Sequence, residues 1–327
     1  MFKRRSYVFN LLTFVIACTL SLIILEALLS KYLPYFNPAF AVSCFRNDEG
    51  VPLLWPRPSE QRQSNAFGEY DVAVSINKYG LRDKKEINSS NINDIFVVGD
   101  SFTFGHGVEE DERFSNILES ISGIQVYNLG IPGTDLADYV RIVDYAKKNG
   151  ALIHNLIIAV FMGKDRGIKE YSNDQRLSRP TLIRKIKDFL NAKCTTYKLL
   201  SYLYNNHVVI NKLSKHKDID ISSEMIHGSA MKLQELSNGY NTLILIIPSV
   251  GLWMGDRRDI ELRKHISFVN LLRNMKMNVI ELRDAFGQKD PLMYYFKKDG
   301  HFNKQGHAIA GNILGKYIKD KRYLHIN

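Results

Sequence analysis

The sequence predicts an α/β fold: a parallel sheet covered by helices on both faces, giving three layers, preceded by one transmembrane helix. Three observations predict it. From about Asp94, short apolar runs alternate with stretches of helical periodicity, the pattern of a parallel sheet with both faces covered. The run Ile95-Phe96-Val97-Val98-Gly99 ends abruptly in Asp100-Ser101, as a buried parallel strand does at its turn. Residues 7–29 form an apolar run long enough to cross a bilayer, for which about 20 residues suffice.

The anchor comes first. Lys3, Arg4 and Arg5 lead the run from Tyr7 to Leu29, which only Asn10, Glu26 and a few hydroxyl residues interrupt. Glu26 lies near the outer end, where its carboxylate reaches the interface. The basic residues precede the run and only Lys31 follows closely. The N-terminus is therefore expected in the cytoplasm and the remainder outside. A cleaved signal peptide would have a shorter apolar core of about 7–15 residues. Ala39-Phe40-Ala41 resembles a cleavage site but lies well past the run, and Val15-Ile16-Ala17-Cys18 resembles a lipoprotein processing box inside it. The preferred reading is an uncleaved single-pass anchor.

Residues 31–92 are a spacer with a small β-rich extension. Pro34, Pro38, Pro52, Pro56 and Pro58 break any long helix. Residues 69–77 alternate at period two, which predicts a strand, and Gly80 then allows a turn. The main domain, 93–327, carries strands expected at 95–99, 124–129, 155–161, 241–247 and 277–282. Helices fall between them. Leu136, Tyr139, Val140 and Val143 share one face of a helix over 136–148, and a last helix starts after Asn303 and runs to about Ile318. Residues 166–230 are too long for a short crossover and read as a helical insert with a basic face, a solvated layer or a lid.

With 327 residues, 45% of them hydrophobic, the chain can bury one sizeable core and is not a disordered composition. Its net charge of +10 suits an anionic membrane surface or an acidic polymer. Zinc-finger spacing, an RNP motif and a P-loop are absent, so a nucleic-acid partner is not expected. Of the 3 cysteines, Cys18 falls in the anchor. Cys44 and Cys194 lie where a disulfide is permitted, and sequence alone does not pair them.

Two short motifs carry chemistry. A serine just past the carboxyl end of a parallel strand sits where open α/β sheets place their sites. A serine hydroxyl needs a base, and Asp299-Gly300-His301 supplies one. An aspartate and a histidine two apart on an extended segment point the same way, so Asp299 would orient His301 toward Ser101. Blander readings stand beside these. Gly99-Asp100-Ser101 is also a strand-to-helix turn with a capping serine, and Asn303 a helix cap. Asp100 as a phosphoacceptor would leave His301 without a use. Asp299, His301 and His307 have ligand chemistry, but no fourth ligand stands at a persuasive spacing, and no metal or other cofactor is expected.

With these blocks in this order, the chain resembles the SGNH/GDSL hydrolase family, of the membrane-anchored bacterial kind, over most of residues 69–327. The resemblance implies a three-layer, flavodoxin-like parallel-sheet domain. It implies Ser101 as nucleophile and first oxyanion donor, Gly133 of Asn128-Leu129-Gly130-Ile131-Pro132-Gly133 as second donor, and Asp299 and His301 as the remaining triad. The family's third block has an asparagine that donates to the oxyanion. Here Met162-Gly163-Lys164-Asp165 puts Lys164 at that position, an ammonium on a longer stem. The Asp-x-His spacing resembles alginate-type O-acetyltransferase relatives. Asn77, Gly80, Leu81, Arg82 and Asp83 resemble a segment that often precedes this domain in anchored members, and no catalytic role is assigned to them.

The function implied is an extracytoplasmic serine esterase or O-acyltransferase. Its expected partner is an acylated glycan of the cell surface, O-acetylated by preference, or another ester. Two alternatives stay open. One is a glycan-binding or assembly component whose site Lys164 has impaired. The other is a lipid esterase that draws substrate from the bilayer through the amphipathic insert.

Overall fold

The structure, a computed structural model, describes residues 2–33, 36–37, 42–56, 61–65, 67–163, 186, 189–190, 193–212 and 223–320. The chain starts with helix α1 (Phe2–Tyr32). Two antiparallel pairs follow, β1 (Cys44–Arg46) with β2 (Pro52–Leu54) and β3 (Gln61–Ser64) with β4 (Asp71–Val74). Then come β5 (Ile95–Gly99), α2 (Ser101–Phe104), α3 (Phe114–Ser122), β6 (Val126–Gly130), α4 (Leu136–Lys148) and β7 (Asn155–Phe161). The chain continues with α5 (Thr195–Lys212), α6 (Ser223–Ser237), β8 (Asn241–Ile247), α7 (Arg258–Asn274), β9 (Val279–Glu281), α8 (Arg283–Phe286) and α9 (Lys304–Lys319).

These elements form two compact units. Met1–Ala41 and Tyr171–Ile219 make one; Val42–Glu170 and Asp220–Asn327 make the other.

In the larger unit, five strands form one sheet in the order β6-β5-β7-β8-β9, every neighbouring pair parallel. The first strand of the sheet lies between the second and the third. Connections therefore leave β5 in one direction and β7 in the other, and a crevice opens at their carboxyl ends. The pleat sorts side chains between two layers. Phe96 and Val98 of β5 face a layer built by α4, α6 and α7, where Tyr139, Leu233 and Phe268 are fully buried. Ile95 and Val97 face the opposite layer, built by α2, α3, α8 and α9, with Phe114, Phe286 and Leu314. Helix α9 lies close on α3: a Cβ on Gly311 or Gly315 would come within 2.6 Å of Ile117 or 2.7 Å of Ile121.

The α/β expectation holds, and several elements coincide with it residue for residue. Three do not. The strand expected over 69–77 forms only at Asp71–Val74, the length over which it pairs with Gln61–Ser64. β6 begins at Val126 because Gly123, in the left-handed conformation, caps α3, and Ile124 and Gln125 complete the turn. β9 spans only Val279–Glu281, because a turn with Lys276 at φ 59° precedes it and α8 follows at once.

In the smaller unit, Phe9–Tyr32 has a mean hydropathy of 2.4 and is long and apolar enough to cross a membrane. Phe9, Leu12, Phe14 and Ile23 are all exposed, so this helix is apolar around its circumference without being buried by its own chain. Glu26 is placed by a specific partner. Its carboxylate accepts from the backbone N–H groups of Thr195 at 2.5 Å and Thr196 at 2.9 Å, and from the Thr196 hydroxyl at 2.7 Å. It caps α5 by supplying acceptors to N–H groups that have none inside the helix.

Candidate active site

The site starts from a register. Gly99 of β5 pairs with Gly130 of β6, and Ile131 N–H donates to the Gly99 carbonyl at 3.1 Å. Ser101 and Gly133 therefore leave the sheet at the same edge, Gly133 being the exposed residue of the loop between β6 and α4. Asp100 is buried and caps α2, its side chain accepting from Phe102 N–H at 3.0 Å. The cap is thus Asp100 and not the serine, which is the first residue of the helix.

Helix α2 lasts one turn. Gly105 takes the left-handed conformation (φ 81°), and His106 N–H donates back to the Ser101 carbonyl at 3.0 Å. A side chain at Gly105 would also meet Arg113 Cγ at 2.3 Å. The stop returns His106 to the same turn as Ser101.

Asp299 and His301 lie on a turn rather than an extended segment. Phe296 N–H donates to the His301 carbonyl at 2.9 Å and Gly300 N–H to the Phe296 carbonyl at 3.2 Å, with Gly300 at φ 80°. The expected common direction of the two side chains is achieved by this reversal. Asn303 then caps α9, accepting from Gln305 N–H at 2.9 Å and Gly306 N–H at 3.2 Å.

The structure brings Ser101, His301 and Asp299 together. Ser101 Oγ lies 2.8 Å from His301 Nε2, and His301 Nδ1 is hydrogen-bonded to Asp299 Oδ1. A carboxylate only accepts, so Nδ1 carries the proton and Nε2 accepts from the serine hydroxyl. Asp299 Oδ2 accepts from the Tyr70 hydroxyl at 2.9 Å and stands 3.4 Å from His106 Nε2. Burial pushes the Asp299 carboxyl up, but the bonds from His106 and His301 outweigh it and hold it well below the usual carboxylate range. The arrangement can move a proton from a hydroxyl to an imidazole beside a permanent negative charge.

Lys164 lies outside the described residues. His307 does not join the site. It is buried against Phe114, whose N–H it accepts at 3.3 Å, and burial pushes its pKa down to about 3. A third histidine that sequence reasoning missed, His106, stands with Asp299 and His301, their ligand-type atoms within 4.8 Å of one another. The two rings stack with planes 18° apart, so their in-plane lone pairs run side by side instead of converging on one point.

Gln63 and Tyr70 were missed as well. The one available signal was the position of His106, five residues after Ser101 across a glycine stop. The segment given no catalytic role turns out to brace this loop. The buried Arg82 guanidinium donates to the carbonyls of Phe104 at 3.2 Å, Gly105 at 2.6 Å, Val108 at 2.8 Å and Ala73 at 3.1 Å. Asp83 accepts from Asn128 N–H at 2.9 Å, and the Asn128 amide donates to the Thr103 carbonyl at 2.7 Å. Cys44 and Cys194 are free thiols.

No protein-family model matches the chain, and none of the curated proteins does. Among solved structures it is similar to a member of the lipolytic protein G-D-S-L family from Veillonella parvula, with 14% identity, 71% of this chain and 99% of that chain covered, and a TM-score of 0.42. It is similar to a lipase/acylhydrolase from Enterococcus faecalis, with 12% identity, coverage of 70% and 96%, and a TM-score of 0.42. It is similar to the psychrotrophic esterase EstA from Pseudoalteromonas sp., with 16% identity, coverage of 71% and 98%, and a TM-score of 0.37. These three solved structures are thus described as a G-D-S-L-family lipolytic protein, a lipase/acylhydrolase and an esterase.

Proposed function

We propose that this chain is a serine hydrolase or acyltransferase of the SGNH/GDSL type that acts on ester bonds. The observation that carries the reading is the continuous contact Ser101 Oγ to His301 Nε2 at 2.8 Å, with His301 Nδ1 bonded to Asp299. His301 takes the Ser101 proton as the oxygen attacks an acyl carbonyl, and Asp299 stabilises the imidazolium. The N–H groups of Ser101 and Gly133 receive the oxyanion, with the Lys164 ammonium as a third donor. Collapse of the tetrahedral intermediate expels the alcohol, protonated by His301, and leaves an acyl-serine. Water then releases the acid, or a sugar hydroxyl takes the acyl group.

The proposed substrate is an O-acyl, by preference O-acetyl, group on a cell-surface glycan. Support comes from the net charge of +10, which suits an acidic polymer, and from the apolar helix Phe9–Tyr32, read as an anchor that leaves the remainder outside the membrane. A glycan-binding component without turnover is the second reading, favoured by a lysine at position 164.

Fluorophosphonate labelling of the full-length chain, beside Ser101→Ala and Lys164→Asn, tests the assignment. Labelling of the wild type that disappears in Ser101→Ala is expected. Labelling restored only in Lys164→Asn would favour the binding component. Silence in all three folded proteins would overturn the serine mechanism.

A further inference from the structure

The site has more partners than a triad needs, and their donors and acceptors fix one another. Gly107 N–H donates to Gln63 Oε1 at 2.8 Å, which sets the Gln63 amide. Its Nε2, a donor only, then faces His106 Nδ1 at 2.7 Å. His106 Nδ1 must accept, so the neutral ring carries its proton on Nε2. That nitrogen lies 2.7 Å from the Tyr70 hydroxyl, which itself donates to Asp299 Oδ2 at 2.9 Å. Asp299 Oδ1 is left for His301, and His301 Nε2 for Ser101.

We propose that Gln63, His106 and Tyr70 are positioning residues, which extend the triad into one directed chain of hydrogen bonds and keep a neutral imidazole stacked on the catalytic one. The inference rests on the reading of Ser101, His301 and Asp299 as a hydrolytic triad. Tyr70 and His301 hold the carboxylate by different oxygens, so it cannot rotate without breaking a bond. The His106 ring covers His301 with centroids 4.0 Å apart, fixing the plane in which Nε2 meets the serine.

Neutrality matters because His301 becomes a cation when it takes the serine proton. A second cation at stacking distance would oppose that step. The groups facing His106 are Asp299, His301, Tyr70 and Gln63, with the Arg82 guanidinium nearby. An imidazolium at His106 would point its Nδ1–H at the Gln63 amino group, donor against donor. Burial also pushes its pKa down, against the pull of Asp299 and with the charge of His301.

The test uses the full-length chain with 15N-labelled histidine rings, followed by NMR from about pH 5 to 9, and p-nitrophenyl acetate as the kinetic probe. In the wild type, His106 is expected to remain the Nε2–H tautomer throughout. In Gln63→Glu, the new carboxylate accepts from Nδ1, so the His106 signal switches to the Nδ1–H or doubly protonated form. That variant and Tyr70→Phe are each expected to lower kcat about tenfold or more, the size of one bond to a charged group, with KM within about twofold. A wild-type His106 that titrates near the ordinary value of about 6.5 would overturn the proposal. So would an Nδ1–H tautomer, or kcat kept within about twofold in both variants. A wild type that neither hydrolyses the probe nor takes a fluorophosphonate would sink the hydrolase reading alone. The His106 tautomer and its response to Gln63→Glu would then still decide the hydrogen-bond chain.

Discussion

His106 and His301 address the same carboxylate through different oxygens while their rings lie face to face, 18° from parallel. Two imidazoles that share one anion at stacking distance can hold only one positive charge between them at low cost. That leaves His301 as the group that cycles its proton.

Ser101 and His301 are expected to act as one unit. Ser101→Ala and His301→Ala should each lower ester turnover by about 10³–10⁶-fold, and the double variant should be little worse than either single one. Turnover of p-nitrophenyl acetate by the three variants checks this. Additive losses would mean that the two side chains work independently.

Asp299→Asn removes the acceptor that holds the His301 tautomer, and a loss of roughly 10⁴-fold in kcat is expected with little change in fold. The same residue shapes acid stability. Its folded pKa lies below the unfolded value of about 3.9, so its contribution is complete above that pH and fades as pH falls further. Urea midpoints should therefore drop more steeply below about pH 4 in the wild type than in Asp299→Asn.

Arg82→Met should destabilise the fold by about 3–5 kcal/mol, because it leaves buried carbonyls of four residues without their donor. Arg82→Lys should recover little, since one ammonium cannot reproduce a planar fork. Equilibrium unfolding of both variants measures the difference, and full recovery by lysine would show that charge alone suffices.

His307 makes a second pH term. Burial lowers its pKa to about 3, whereas the unfolded ring titrates near 6.5. Its contribution is thus intact above about pH 6.5 and is lost as pH falls toward about 3, by at most about 1.4 kcal/mol per unit. His307→Phe, less stable at neutral pH because Phe114 N–H loses its acceptor, should lack this slope. Unfolding midpoints at pH 8 and pH 5 separate the two.

Much of the larger unit is legible in sequence, for a physical reason. β5, β7 and β8 are buried on both faces and read as unbroken apolar runs, and α4 repeats its apolar residues at helical spacing. Ser101, Asp299 and His301 are equally visible because each lies in a short motif at the end of an element. Tyr70 and Gln63 are not. Tyr70 meets Asp299 across 229 positions, and only the folding of the β3–β4 hairpin against the turn after α2 brings them together. His106 carries one local signal, its place five residues after Ser101 across a glycine stop, but a histidine there also reads as an ordinary loop residue. The reversal at Gly300 was missed because period-two reasoning describes strands and is silent about turns.

The β3–β4 hairpin lies upstream of the strand that opens the sheet, yet it supplies Gln63 and, in its connection, Tyr70. A chain begun at residue 93 would keep every residue of the triad and the whole sheet. It would lack Gln63 and Tyr70, two of the four side chains that face His106, and with Tyr70 its bond to Asp299. The smallest piece that contains the chemistry and the smallest piece that performs it well are therefore different lengths. Trimming to the first would also remove Arg82 and the buried core residues Leu54 and Leu81, so stability and turnover would fall together.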